Sequence, residues 1–209
     1  MIVGRSRKRG LPVFVFQNRT YAFWQIARFL KILRRARAIK RKEISENLCS
    51  ANLFGYDLLL DKLHADIALD ESFNFAKWYT PINLEGSIVL DVGAGNLETA
   101  VMFLQKGARK VIAIDSDPGA CEISRKNVAR LGINVEVICS EFNLDHLKIP
   151  HSFLKMDIEG GERELLKVEQ LPRPLVVEVH GKELIDQFGC HNPSRIFEVT
   201  NNVKIMWFL

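Results

Sequence analysis

The chain has 209 residues, 47% hydrophobic and 26% charged, which suits a globular protein with a sizeable core. That length suggests one domain with an appendage, and no apolar run approaches the roughly 18 residues needed to span a bilayer. The net charge of +4 conceals an asymmetry: residues 1–42 hold 13 Lys/Arg and no Asp/Glu, so the remainder is acidic, with a net charge of −9. The four cysteines (Cys49, Cys121, Cys139, Cys190) have no C-x-x-C spacing and read as reduced thiols, which argues against zinc. The amino terminus lacks an apolar segment followed by a small-residue cleavage site. The expected location is therefore cytoplasmic, with peripheral attachment to a membrane as its one extension.

Residues 1–10 form a basic tip. β-forming residues from Pro12 to Trp24, around Gln17-Asn18-Arg19, predict a small hairpin. From about Ala22 the apolar positions Ala22, Ile26, Phe29, Leu30 and Leu33 recur at spacings of three and four. Arg28, Lys31 and Arg35 fall on another face, so a helix is expected to run to about Leu48. A second helix is expected over 56–69, on Leu58, Leu59, Leu60, Leu63 and Ile67. Residues 72–86, rich in aromatics and turn formers, are expected to lead into a sheet and pass over a ligand.

Strands and helices then alternate. Strands are expected over 87–92, 110–115, 134–139, 152–156 and 174–180, and helices over 97–105, 118–131, 162–170 and 182–188. Gly107 stops the first of these helices, while Pro118 opens the next and Gly132 closes it. Two apolar runs, 196–200 and 203–209, are joined by Asn201-Asn202, a hairpin turn. The pattern predicts an α/β fold: a mostly parallel sheet covered on both faces, with a C-terminal antiparallel hairpin at its edge and a basic helical N-terminal extension. The expected boundary lies at residue 50, with the extension over 1–50 and the α/β domain over 51–209.

The chemistry-bearing residues stand at the carboxyl ends of these strands. Asp91 is followed by Gly93 and Gly95, a strand-to-helix turn whose glycines let the backbone approach a ligand while helix amides face it. Asp91 is misplaced for a pyrophosphate but suits an ammonium, and Glu98 stands where a dinucleotide fingerprint needs its last glycine. Both points favour S-adenosylmethionine over NAD, with a plain glycine turn as the structural alternative. Asp115 ends the next strand 24 residues after Asp91, the usual distance for a carboxylate that accepts both ribose hydroxyls. A turn or cap aspartate is the alternative there, although Asp117 before Pro118 suits capping better. Glu141 sits where an adenine amine would be held, but a polar loop explains it equally.

Asp157 and Glu159, two apart before Gly160-Gly161, share one side of an extended segment. They are candidates for metal ligation, proton acceptance or contact with the methionine end of the cofactor. Glu162 is assigned to the N-terminus of the following helix. Glu178 and His180 repeat the same spacing at the end of the fifth strand. His180 is a candidate general base, because its pKa is tunable near neutrality; a structural histidine is the alternative.

These residues resemble the FkbM family of S-adenosylmethionine-dependent methyltransferases. The likeness rests on Asp91-Val-Gly-Ala94, on Lys155-Met-Asp-Ile-Glu-Gly-Gly-Glu162 and on Glu178-Val-His180, and it covers about residues 85–181. It implies a class I methyltransferase (Rossmann-like) fold, S-adenosyl-L-methionine as donor and a hydroxyl oxygen as acceptor. Two features depart from it: Leu97 stands where the family usually has another glycine, and residues 1–42 have no counterpart. The leading expectation is O-methylation of a small molecule or glycan, with His180, Asp157 and Glu159, in that order, as candidates for removing the acceptor's proton. No metal site is assigned; if a divalent ion assists, the two carboxylates are its expected ligands. Residues 1–42 fit a solvated helix packed on the acidic body, a grip on RNA, or docking to an anionic membrane surface. The rival functions are an RNA methyltransferase and a non-catalytic binding module.

Overall fold

The computed structural model describes residues 39–209, apart from the His64 side chain, and the backbone of segments 2–5, 12–16 and 19–22. Strands β1 (Ile2–Arg5), β2 (Pro12–Phe16) and β3 (Arg19–Ala22) form an antiparallel sheet in that order, so the expected hairpin is present. Most of the predicted basic helix lies outside the described residues. Its last part is corrected: residues 41–43 are strand β4 (Arg41–Glu43), paired with β5 (Leu48–Leu53) and through it with β6 (Tyr56–Asp61). The expected boundary at residue 50 falls inside β5.

The helix expected over 56–69 is corrected as well. Leu58 and Leu60 are buried while Asp57 is exposed, the period-two burial of a strand. The reversal that makes 48–61 a hairpin is Phe54-Gly55, both at positive φ (53° and 90°). Helix α1 (Lys62–Tyr79) starts only after it, capped by the Asp61 carboxylate accepting from the Leu63 N–H. Residues 72–79, expected as turns, are therefore helical, and Phe75 and Tyr79 are buried against the main sheet.

From residue 88 the alternation is as expected. The elements are β7 (Ile88–Val92), α2 (Glu98–Gln105), β8 (Lys110–Asp115), α3 (Pro118–Leu131), β9 (Val135–Cys139), β10 (Phe153–Met156), β11 (Leu175–His180), α4 (Lys182–Gly189), β12 (Arg195–Thr200) and β13 (Val203–Phe208). Asp117 caps α3 through the Ala120 N–H, Pro118 occupies its first turn and Gly132 closes it at φ 61°. The helix expected over 162–170 is instead a short 3-10 segment, Gly161–Lys167.

The seven-stranded sheet runs β12-β13-β11-β10-β7-β8-β9. β7 to β11 are mutually parallel, and β13 is antiparallel to both of its neighbours. The chain winds outward from β7 to β9 and then returns to β10 on the other side of β7. The carboxyl ends of β7 and β10 thus flank a topological switch point, where open α/β sheets bind ligands. Alternate residues feed two cores. Val89, Val111, Phe153 and Val176 face α1 and α2; Leu90, Ile112, Leu154 and Val177 face α4.

The expectation of four free thiols is corrected for two of them. Cys121 on α3 and Cys139 at the end of β9 form a disulfide, with Cα atoms 5.8 Å apart; Cys49 and Cys190 are free. α3 packs antiparallel to β9, so its first turn meets the end of that strand and brings the two together, a proximity that sequence spacing does not reveal. Among the described residues no helix is long and apolar enough to cross a membrane.

Asn127, fully buried on α3, joins the β5–β6 hairpin to the main domain. Its amide donates to the Leu59 carbonyl (2.9 Å) and the Asn96 carbonyl (3.1 Å), and its side-chain oxygen accepts from the Leu59 N–H (2.8 Å). Asn127→Ala removes all three bonds and strands buried backbone groups, so a loss of about 2–4 kcal/mol is expected. Urea denaturation checks this: the midpoint falls while the slope stays unchanged.

Candidate cofactor and acceptor site

The turn after β7 is set by close packing against the end of β10. Gly93 has φ 76°, and a Cβ on it would lie 1.8 Å from the Asp157 carbonyl oxygen, so only glycine fits. The Gly93 N–H bonds the Ile114 carbonyl and the Asp157 N–H bonds the Val92 carbonyl, both at 2.9 Å. Leu97, standing where a third glycine is usual in the resembled family, adopts the left-handed conformation itself (φ 78°) with its side chain fully buried. Burial of an isobutyl group offsets the roughly 1–2 kcal/mol that this conformation costs a residue with a Cβ. The turn keeps its shape without the glycine.

Beneath the turn lies a buried ion pair. Asp91 and Lys155 are opposite one another on β7 and β10 and are 0% and 1% exposed. Lys155 Nζ is 3.2 Å from Asp91 Oδ1 and donates to the Gly93 carbonyl at 2.9 Å, while Thr99 Oγ1 donates to Asp91 Oδ2 at 2.6 Å. Burial raises the Asp91 pKa against the opposing pull of Lys155. For Lys155, burial works against the charge, but Asp91 and Asp157 outweigh it and hold the ammonium above its ordinary pKa. Asp91 thus braces the turn from below and is not among the residues lining the cavity above.

That cavity, about 680 Å³, is lined by Gly93, Gly95, Asp115, Glu141, Phe142 and Asp157, with Glu159 also on its wall. Asp115 is fixed by two backbone donors, Gly95 N–H on Oδ2 and Asp117 N–H on Oδ1, both at 2.9 Å. Each oxygen retains a lone pair for a ligand hydroxyl. Ile114, Phe142 and Ile158 supply apolar walls. Of the expected cofactor residues, Gly93, Gly95, Asp115 and Glu141 are therefore on one surface.

On the α1 side of the same strand ends, Asp157, Glu178 and His180 converge. Tyr79 on α1 donates to Glu178 Oε2 at 2.5 Å and lies 3.3 Å from Asp157 Oδ2. Burial raises the Tyr79 pKa well above its ordinary value, followed by the charges of Asp157 and Glu178, so the hydroxyl stays a donor. Glu178 Oε1 is 3.7 Å from His180 Nε2. Glu162, assigned from sequence to a helix terminus, is instead wholly buried; its Oε1 accepts from the His180 N–H at 2.6 Å and lies 3.4 Å from Nδ1. Glu159 is exposed on the cavity wall and outside this cluster. Sequence reasoning thus missed Tyr79, Lys155 and Glu162 as site residues; the lysine and glutamate stood inside a quoted motif, but Tyr79 carried no local signal.

Burial, and then the charge of Asp157, raises the Glu178 carboxyl to about 7, although the Tyr79 hydrogen bond pulls the other way. Burial alone would lower the His180 pKa; the bond to Glu162 and the charges of Asp157 and Glu178 overcome it and raise it to about 9. The imidazole is then charged at neutral pH, and Asp157 and Glu178 are the acceptors of the set. His180, binding its proton more tightly folded than unfolded, adds stability that is complete below pH 6.5 and lost as pH rises through 9. An NMR titration of the His180 ring should give a midpoint near 9. Glu162→Gln should lower that midpoint by about one unit or more and shrink the alkaline loss of stability.

Comparison with known proteins bears on the domain and its fold. The family described as "Methyltransferase domain" matches residues 89–156, about a third of the chain. Ribosomal protein L11 methyltransferase of Enterobacter sp. (strain 638) is 41% identical over 58 residues, 28% of this chain and 20% of that protein. The corresponding protein of Symbiobacterium thermophilum is 39% identical over 61 residues, 29% and 20% of the two chains. The chain thus spans about a fifth of the length of these curated relatives. Among solved structures, the Pyrococcus abyssi tRNA (uracil-54, C5)-methyltransferase, in complex with S-adenosyl-L-homocysteine, superposes with TM-score 0.56 at 16% identity, over 78% of this chain and 44% of that one. The C-terminal domain of precorrin-6Y C5,15-methyltransferase from Rhodobacter capsulatus gives 0.50 at 13% identity, over 68% and 87%. The chain carries the class I methyltransferase, Rossmann-like α/β fold, completed by a C-terminal antiparallel hairpin.

Proposed function

We propose that this chain is an S-adenosylmethionine-dependent methyltransferase that acts on a hydroxyl of a small molecule or glycan. One observation carries the reading: a cavity floored by a glycine turn and a diol-ready aspartate opens onto a cluster of carboxylates and an imidazole, with Asp157 belonging to both. The residues fit the donor. Asp115 has two acceptor positions left for a ribose diol, Glu141 and Phe142 offer an acceptor and an aromatic edge on the adenine side, and the Gly93–Gly95 backbone leaves room for the chain between them. When bound, S-adenosylmethionine supplies an electrophilic methyl group.

The protein's own contribution is to place a hydroxyl beside that group and to take its proton, since positioning supplies much of the acceleration in such displacements. Asp157 and Glu178 accept hydrogen bonds from the acceptor, and His180, aimed by Glu162, sets the electrostatics around them. The likeness to the FkbM family over about residues 85–181 supports oxygen as the acceptor atom.

A second reading, an RNA methyltransferase, is favoured by the 13 Lys/Arg of residues 1–42. Salt-sensitive binding of a labelled RNA that disappears on deleting residues 1–42 would select it over the first.

Calorimetric titration with S-adenosylmethionine tests the proposal. The wild type should bind in the micromolar range, Asp115→Ala at least about tenfold more weakly, because a paired diol contact is lost. With an acceptor in hand, Glu178→Gln should slow transfer by about a hundredfold while cofactor affinity holds. A folded wild type that binds no S-adenosylmethionine overturns the reading.

A further inference from the structure

The Asp157–Glu178–His180 cluster holds more negative charge than proton transfer requires. Asp157, Glu178 and Glu162 gather around one imidazole, His180, while the nearby ammonium of Lys155 is already held by Asp91 and the Gly93 carbonyl. Asp157 receives only a distant share of it, at 3.9 Å. Buried or half-buried negative charge of this kind calls for a cation.

The arrangement of ligand atoms suits one. Asp157, Glu178 and His180 each present an atom such that all three lie within 4.8 Å of one another. Tyr79 occupies Glu178 Oε2 and leaves Oε1 facing the imidazole. Behind the ring stands Glu162, 0% exposed, with Oε1 3.4 Å from Nδ1; both Nδ1 and Glu162 Oε2 lack a hydrogen-bond partner. A buried carboxylate beside one ring nitrogen is where metal-binding histidines commonly find the support that leaves Nε2 for the ligand. The three side chains keep 33%, 13% and 22% of their surface exposed, which leaves a path inward and open coordination positions.

We propose that Asp157, Glu178 and His180 bind a divalent metal cation that displaces the Nε2 proton of His180 to solvent, with Glu162 beside the other ring nitrogen. Two oxygens and one nitrogen suit an ion of intermediate hardness such as Mn²⁺. Cation binding stands independently of the proposed methyl transfer. On that reading alone, a hydroxyl ligating the ion is the acceptor; Asp157 and Glu178 then hold the ion instead of taking the proton, which the ion's lowering of the hydroxyl pKa lets pass to water.

The test uses the full chain, stripped with EDTA and titrated with Mn²⁺ alone, without cofactor. Expected is one saturable Mn²⁺ per chain, with electron spin-echo modulation from a bound imidazole nitrogen. Glu178→Gln and His180→Gln should each weaken binding tenfold or more, and Glu162→Gln by about ten- to a hundredfold. Glu183→Gln, exposed on α4, should leave it unchanged. No saturable binding by the folded wild type, or binding without nitrogen modulation, overturns the proposal. Should the variants lose their native circular dichroism, the wild-type modulation still decides. Failure to bind Mn²⁺ by a protein that still binds S-adenosylmethionine removes the cation and keeps the methyltransferase reading. Mn²⁺ bound by a protein that ignores S-adenosylmethionine does the reverse.

Discussion

An ammonium taken wholly out of water must be matched, and the way Lys155 is matched organises this site. Its neighbours come from three elements: Asp91 and the Gly93 carbonyl from β7, Asp157 from β10 and the Tyr79 ring from α1, 5.4 Å from Nζ to its centroid. Removing one partner of such a buried pair leaves an uncompensated charge, which costs about 3–5 kcal/mol. The glycine turn under the cavity and the acidic cluster around His180 are therefore one electrostatic unit. Neither can shift without disturbing the other.

The sheet explains why the two meet. Alternation along β10 sends Phe153 and Lys155 to the α1 face and Leu154 and Met156 to the other. Asp91, Glu178 and His180 share the α1 face on their own strands, so polar groups gather where α1 ends. That helix end is itself fixed from the same face nearer the sheet's edge, where Trp207 on β13 donates to the Trp78 carbonyl at 2.6 Å. Tyr79, the next residue, is thereby held over the cluster.

Much of this was legible in the sequence because glycine, proline and acids punctuate it. Gly93, Gly95, Gly107, Pro118 and Gly132 mark turns that hydrophobic periodicity alone would blur, and the strands around them fell within a residue or so of their observed ends. The hairpin at 48–61 was misread because Leu58-Leu59-Leu60 satisfies a helical stripe as well as a strand, and only the Phe54-Gly55 reversal separates the two. The 3-10 segment after β10 carries the same apolar spacing as a helix and differs only in hydrogen-bond register. Groups acting across the fold left no local trace: Tyr79 lies 78 residues from Asp157, Asn127 lies 68 from Leu59, and the Cys121–Cys139 pairing depends on α3 packing against β9. Glu178 and His180 were found because strand alternation is local; Glu162 was undervalued because its partner belongs to another strand.

The place of β13 bears on how this site comes into being as the chain is made. It lies between β11 and β12, antiparallel to both, and pairs with β11 along its whole length from Leu175 to His180. Until residues 203–208 have left the ribosome, the strand that bears Glu178 and His180 shows a bare hydrogen-bonding edge to solvent or to other nascent chains. The strand bearing this cluster is thus the last parallel strand of the sheet to be sealed, and translation slowed between β11 and β13 would leave that edge open.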